Sequence, residues 1–343
     1  MNYMKAQWLI VTALGLEYKE VRSHLSALQS IVHAKGTQYE VGKFRLDDGE
    51  ISVALVECGS GNVSAAIEVE RGIAAFTPEG ILFVGVAGGI KDVRIGDVVC
   101  ASKVYAYESG KAVATFLPRP QSFQSAYPFV QAALSLARRE ISDVDGLESP
   151  STPRVVVGPI AAGEKVVAAL ESAEYRFIRQ QYSDAVAVEM EGYGFLHGGY
   201  ANTANCMVIR GISDLVAEKT EADASGSQPR AARAAATVAF EIISILMHRA
   251  PVSDIDWKDL EHIAEELYPL GPLDNQIWDR SGGDVSMLQT WMSGRASWHQ
   301  ALRILRNGGG GNALSPRTLL DQMLRDHPKN VELSSLAIRL TGF

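Results

Sequence analysis

The chain has 343 residues, 47% of them hydrophobic, which is enough for a large core and, at about 150 residues per domain, for roughly two domains. Its formal charge is −8 and no stretch is rich in Lys or Arg, which argues against a nucleic-acid binder or a protein held on an anionic membrane surface. No apolar run approaches the ~20 residues that cross a bilayer. The three cysteines, Cys58, Cys100 and Cys206, stand far apart in apolar runs, a pattern that suits the reduced core thiols of a cytoplasmic protein better than disulfides or a metal site.

In chain order, "WLIVTAL" (8–14) reads as a first buried strand. It also imitates the apolar part of a signal peptide, but Glu17 follows at once and no small-residue cleavage pattern stands there. A helix is predicted over Glu17–Leu28. Further strands are predicted at 51–57, 81–87, 97–104, 154–160, 185–190 and 205–211, several of them apolar on both faces. Between them, apolar positions three or four apart predict helices over Val63–Phe76, Tyr127–Ile141, Lys165–Gln181 and Gly192–Tyr200, and an Ala-rich helix over about Pro229–His248 closes the series. Alternating strands and helices indicate an α/β domain with a mostly parallel or mixed sheet, spanning 1–250.

From Asp254 onward no strand is predicted. Helical segments are broken by "GPLD", "SGGD" and "NGGGGNALSP", so 251–343 reads as a separate all-helical domain. Trp257, Trp278, Trp291 and Trp298 all fall in it, as anchors for a small core. The glycines at 308–311 lack the Lys-Ser/Thr ending of a phosphate loop and read as a flexible turn.

Ligands of open α/β sheets gather beyond the carboxyl ends of the strands. Four positions there carry chemistry: Glu17 after the first strand, the "GVAGG" run (85–89) with Gly88 and Gly89, Glu191 after the sixth, and Ser213 with Asp214 after the seventh. Any one of the acids has an ordinary explanation as a helix cap or a dipole partner. Together they supply what glycosidic cleavage asks for: an acid for the leaving group, a base for water, and negative charge beside a cationic carbon. Glu189 and Glu191 share a face with Met190 opposite, unless the chain turns at Glu191.

The motifs "TALGLE" (12–17), "CGSGNVSAA" (58–66), "VGVAGGIKDVRIGDVV" (84–99), "VAVEMEG" (186–192) and "IRGISD" (209–214), in that order, resemble the nucleoside phosphorylase superfamily, and most of all its methylthioadenosine/S-adenosylhomocysteine nucleosidase branch. The resemblance covers about 8–248 and implies a three-layer α/β/α sandwich that breaks the N-glycosidic bond of a nucleoside, with no cofactor and no metal. It implies that Glu17 activates water, that Met190 lies against the ribose, that Glu191 binds the ribose hydroxyls and steadies the cationic transition state, and that Asp214, held by Ser213, protonates the purine. Glu189 becomes a supporting residue. Phosphorolytic members carry an early Gly-rich loop with an arginine for phosphate; "TALGLEYKE" has a glutamate and no arginine, so water is the expected nucleophile, with a phosphorylase or a non-catalytic nucleotide sensor as alternatives. Where the nucleosidase branch carries an aromatic that stacks on adenine, this chain has Ala161 and Ala162, and Val86 stands where a hydroxyl residue is common.

"KVYAYESGK" (103–111) and "LPRPQ" (117–121) resemble phosphorylase-type effectors of bacterial anti-phage systems, and the tail, over about 255–340, resembles their effector-associated domain 1. This implies a purine nucleotide substrate, ATP among them, with Lys103, Lys111 and Arg119 as phosphate contacts. It also implies a homo-oligomeric enzyme domain and a death-fold-like tail that binds a protein partner with a similar domain.

Overall fold

The computed structural model describes residues 5–46, 49–114, 116–142, 153–216, 227–247, 254–289, 293–311 and 314–341. The chain divides into two compact units, residues 1–247 and 248–343. The boundary expected between 250 and 251 lies outside the described residues, as does Trp291.

The first unit runs β1 (Trp8–Thr12), α1 (Gly15–Arg22), β2 (Ser26–Val32), β3 (Gln38–Leu46), β4 (Gly49–Glu57), α2 (Asn62–Phe76), β5 (Gly80–Gly89) and β6 (Val98–Ala106). It continues with β7 (Gly110–Lys111), β8 (Leu117–Pro118), β9 (Gln121–Gln124), α3 (Tyr127–Ser142), β10 (Val155–Ala162), α4 (Ala173–Gln181), β11 (Ala187–Glu189), α5 (Gly192–Ala201), β12 (Cys206–Leu215) and α6 (Ser227–Met247).

The main sheet has the order β11-β10-β6-β12-β5-β1-β4-β3-β2, with β9 on β6. β1 pairs in parallel with β4 and β5, and β5 with β12, which is why these strands are apolar on both faces. Alternate residues of β1 enter opposite cores. Leu9 and Val11 meet Ala65, Val69 and Phe76 of α2 and Phe195 of α5, while Trp8 and Ile10 meet Val21 of α1, Phe129 of α3 and Ala239 and Ile243 of α6. These are the layers of an α/β/α sandwich. One end of the sheet departs from an open sandwich: β11 pairs antiparallel with β5 as well as parallel with β10, so β5, β12, β6, β10 and β11 close into a ring. That closure brings the ends of β5, β11 and β12 together.

Two predicted helices are shorter than their apolar spacing suggests. The one expected to reach Leu28 ends at Arg22, and Ser26–Val32 is an edge strand with a register shift between Ser26 and Gln29. The bulge, with Ala27 at φ +49°, resets the side-chain alternation, so Leu25, Leu28 and Ile31 fall three apart as in a helix. The one predicted over Lys165–Gln181 begins only at Ala173, where Ser172 caps it by accepting the Tyr175 N–H at 3.1 Å. Residues 163–172 form an irregular strap instead.

The second unit contains α7 (Asp254–Leu267), a single turn α8 (Ile277–Arg280), α9 (Gly294–Arg306), α10 (Pro316–Asp326) and α11 (Val331–Thr341). Trp278 and Trp298 lie fully buried at its centre and Trp257 packs at its edge. The indole N–H of Trp298 donates to the Tyr268 carbonyl at 2.9 Å. Of the glycines at 308–311, expected to form a flexible turn, Gly308 is open, but Gly310 sits at φ +102°, where a Cβ would come within 2.9 Å of the Trp278 ring, and a Cβ on Gly311 would come within 2.8 Å of the Gly282 carbonyl oxygen. Among the described residues no helix is long and apolar enough to cross a membrane, and the three cysteines form no disulfide.

Candidate active site

Glu17 stands in the first turn of α1, where backbone N–H groups lack helical partners. Its carboxylate reaches back to the N-cap and the residue before it: Oε2 accepts from Ala13 and Leu14, each at 2.9 Å. Oε1 reaches across to β5 and accepts the Val86 N–H at 2.8 Å. The side chain is nearly fully buried, and that burial holds its pKa above the usual carboxylate range despite the opposing pull of Arg210 and of these three N–H groups.

The two glutamates of "VAVEMEG" divide the work because the strand ends between them. β11 stops at Glu189, the chain turns, and Glu191 becomes the N-cap of α5. The Glu189 carboxylate caps that helix, accepting from the N–H groups of Glu191 (3.0 Å) and Gly192 (2.9 Å), and pairs with the Arg210 guanidinium. Glu191 accepts from Gly61 N–H at 2.9 Å and from Arg210 at 3.1 Å. Burial raises its pKa, Arg210 opposes that, and Glu189 adds to it.

Arg210, fully buried on β12, is the hub: Glu189 and Glu191 lie on one amino group, Glu17 lies 4.0 Å from the other, and the Phe83 ring lies 4.3 Å below. Burial alone would lower its pKa, but the three carboxylates reverse this and hold it above the ordinary value. One guanidinium among three buried carboxylates leaves the pocket floor acidic. Nη1 of Arg210 makes no hydrogen bond among the described residues.

Asp214 arrives by a register shift. On β12, Ile212 pairs with Ala87 and Asp214 with Gly88, so Ser213 is the extra residue and the Asp214 side chain is re-aimed. The Ser213 hydroxyl donates to Asp214 Oδ1 at 2.8 Å; Oδ2 is buried and unpartnered among the described residues. Neither this pair nor the "GVAGG" run lies after its strand, as expected from the sequence, because β5 and β12 each run on to close the ring.

These residues surround one cavity of about 270 Å³ lined by Glu17, Val86, Gly88, Val188, Glu189, Met190, Glu191, Ser213 and Asp214, with Ser60, Gln228 and Lys165–Val167 completing the wall. Not every residue expected at the site reaches it. Gly89 packs against Val93, Leu215 and Ile212. Ala161 and Ala162 are buried within β10, which runs to its end before the strap turns in, so the strap's Val166 and Val167 take the wall position expected of the alanines. Lys103 pairs with Asp184 at 3.1 Å over the Tyr105 ring, and Lys111 and Arg119 are exposed on the β7–β8 hairpin and beyond it; none of the three lines the cavity.

Arg210, Lys165, Val166 and Val167 were not anticipated. A signal for Arg210 was present, since a single charge inside the apolar run "NCMVIRG" needs buried partners. Lys165 bridges Glu174 (3.0 Å) and Glu108 (3.6 Å). Among the described residues searched there is no cluster of potential metal ligands.

Known proteins place these features in a family. The model of the phosphorylase superfamily matches residues 7–246, and that of effector-associated domain 1 matches residues 250–341. The chain is 27% identical over 219 residues to a 5′-methylthioadenosine/S-adenosylhomocysteine nucleosidase of Desulfotalea psychrophila, covering 61% of this chain and 88% of that one. It is 27% identical over 275 residues to the ATP nucleosidase Cap17 of Escherichia coli, covering 70% of this chain and 54% of that protein. The crystal structure of the Streptococcus pneumoniae MTA/SAH nucleosidase in complex with 8-aminoadenine is 25% identical, with a TM-score of 0.57 over 70% of this chain and 99% of that one.

Proposed function

Because the chain belongs to the phosphorylase superfamily, we propose that it is a nucleosidase whose cavity hydrolyses the N-glycosidic bond of a purine nucleoside or nucleotide, with adenine the expected base. The observation that carries this is the convergence of Glu17, Glu191 and Asp214 on one cavity, each with its partners already arranged. With Ser213 donating to Oδ1, a proton on Asp214 belongs on Oδ2, free to pass to the departing purine as the bond to the anomeric carbon breaks. The raised pKa of Glu17 makes it a better proton acceptor for water than an ordinary carboxylate, and Arg210, 4.0 Å behind it and outside the cavity lining, supplies its counter-charge. Glu191, oriented by Gly61 and Arg210, binds the ribose hydroxyls, with Met190 against the sugar; its charge stabilises the oxocarbenium-like carbon. Glu189 is fully engaged in capping α5 and holding Arg210, which supports a supporting role.

Water is favoured over phosphate as nucleophile. Among the described residues Lys165 is the one Lys or Arg lining the cavity, and a phosphate dianion beside Glu17 would meet like charge. A pure nucleotide sensor has no use for the free proton position on Asp214. The name of the Cap17 relative supports ATP as one substrate. The effector-associated tail supports a place in anti-phage defence; the proposal includes a death-fold-like module that recruits a partner bearing a similar domain, and an enzyme unit that self-associates in the cytoplasm. The test is incubation with methylthioadenosine, adenosine, AMP and ATP in phosphate-free buffer, with chromatography for free adenine and a sugar bearing a free anomeric hydroxyl. A strict requirement for inorganic phosphate and a ribose 1-phosphate product would overturn the hydrolytic reading.

A further inference from the structure

Asn62, the first residue of α2, lies in the "CGSGNVSAA" motif and is not itself part of the cavity lining, yet its whole amide is engaged with the walls around it. Oδ1 accepts the N–H of Gly194 in the first turn of α5 at 2.8 Å. Nδ2 donates to the Gly163 carbonyl at 3.2 Å and to Glu164 Oε1 at 2.9 Å, at the start of the strap. The preceding residue, Gly61, donates its N–H to Glu191. Two consecutive residues therefore touch the Glu191 carboxylate, the start of α5 and the strap that supplies Lys165, Val166 and Val167 to the cavity.

The junction has little slack. A Cβ on Gly194 would lie 1.9 Å from the Asn62 carbonyl oxygen, and one on Gly163 would lie 2.4 Å from the Tyr107 ring. The strap is irregular up to Ser172; its start is also held by the Gly163 N–H donating to the Glu189 carbonyl at 3.2 Å and Val167 is buried, but around Lys165 its ties are to half-buried Glu108 and Glu174: the Glu164 N–H to Glu108 at 2.8 Å, and the ion pairs of exposed Lys165. Exposed ion pairs hold a segment weakly.

We propose that Asn62 is a positioning residue that pins the 163–167 strap against the start of α5 and so sets how tightly the base is enclosed; the second half of this statement rests on the nucleosidase reading above. The chemistry makes a specific reversal available. Asn62→Asp keeps the acceptor for Gly194 but sets a carboxylate against the Glu164 carboxylate. Glu164→Gln then returns a donor at that point, facing the new acid.

The experiment uses the full chain, with trypsin cleavage after Lys165 followed by mass spectrometry and cleavage after Lys35, on the distant β2–β3 hairpin, as internal control. Asn62→Asp and Asn62→Ala should each speed cleavage after Lys165 by about fivefold to tenfold relative to Lys35, the scale of one or two lost hydrogen bonds under rapid local opening. The pair Asn62→Asp with Glu164→Gln should recover a clear part of that change, about twofold or more relative to Asn62→Asp, because the contact at Glu164 returns while the bond to the Gly163 carbonyl does not. With adenosine as probe, KM should rise by a similar factor in the single variants while kcat stays within about twofold, because Glu17, Asp214 and Arg210 are untouched. Unchanged cleavage after Lys165 in both single variants, or no recovery in the pair, overturns the pin. A loosened strap with unchanged KM overturns its link to the base. If wild type releases adenine from none of the panel above, the nucleosidase reading falls while the trypsin arms still decide the pin.

Discussion

Replacing Arg210 with Met tests the electrostatic account of the pocket. The guanidinium is fully buried and offsets Glu189, Glu191 and Glu17 together, so its removal leaves three buried carboxylates without a counter-charge. Deleting one partner of a buried pair costs about 3–5 kcal/mol, out of a typical total of about 5–15 kcal/mol. At about 2–4 °C per kcal/mol for a unit of this size, the unfolding midpoint should fall by roughly 6–20 °C. The pH dependence carries the sharper test. Burial raises the pKa of Glu17 and of Glu191 above the ordinary 4.5, and Arg210 is the leading opposing influence in each. In the pH range above 4.5 and below those raised values, the folded state retains protons that the unfolded chain has released, so stability falls as pH rises through this window. Arg210→Met pushes both folded values up and widens the window. The loss in midpoint should therefore be clearly greater at about pH 8 than at about pH 5 by calorimetry. Adding Glu189→Met should recover part of it, since apolar replacement of a whole buried pair is tolerated better than removal of one side. A loss that is the same at both pH values, or none at all, would refute the argument that these groups form one coupled cluster.

The remaining predictions separate the roles of individual groups. Asp214→Asn should lower kcat for adenine release by about 10²–10⁴, the usual worth of a general acid, with little change in the unfolding midpoint; a fall below tenfold would point to another proton source. Glu191→Gln should lower kcat at nearly constant stability, whereas Glu189→Gln, which disturbs the cap of α5 and the Arg210 pair, should show mainly as a lower midpoint, and the reverse pattern would exchange the two assignments. Gly85→Ala would set a Cβ 2.0 Å from Arg210 Nη1 and 2.5 Å from Glu17 Oε1, so it should abolish turnover and cost several kcal/mol in urea unfolding; a folded, active variant would contradict the close approach described here.

The two-part organisation of the chain, most of the central strands and the principal acids were legible in the sequence, for a physical reason. Parallel strands covered on both faces must be apolar throughout, so β1, β4, β5, β6, β10, β11 and β12 stand out as runs, and the acids beyond them interrupt an otherwise apolar text. The edge strand β2 and its neighbour β3 did not stand out, because both keep many exposed positions and the bulge at Ala27 imitates helical spacing. The strap was read as helix because Val166, Val167 and Leu170 follow helical spacing, while in the structure Val166 and Val167 line the cavity.

Which members of the cavity act together was decided by long-range geometry alone. The closure of β11 onto β5 brings Glu189 and Glu191 to Arg210, about twenty residues further on, and the register shift before Asp214 turns that carboxylate into the same space as Glu17, about two hundred residues earlier in the chain. Local sequence states which side chains are charged. Whether a charge is spent on a helix cap, as at Glu189, or left facing a cavity, as at Asp214 Oδ2, depends on partners that only the folded sheet brings within hydrogen-bonding distance.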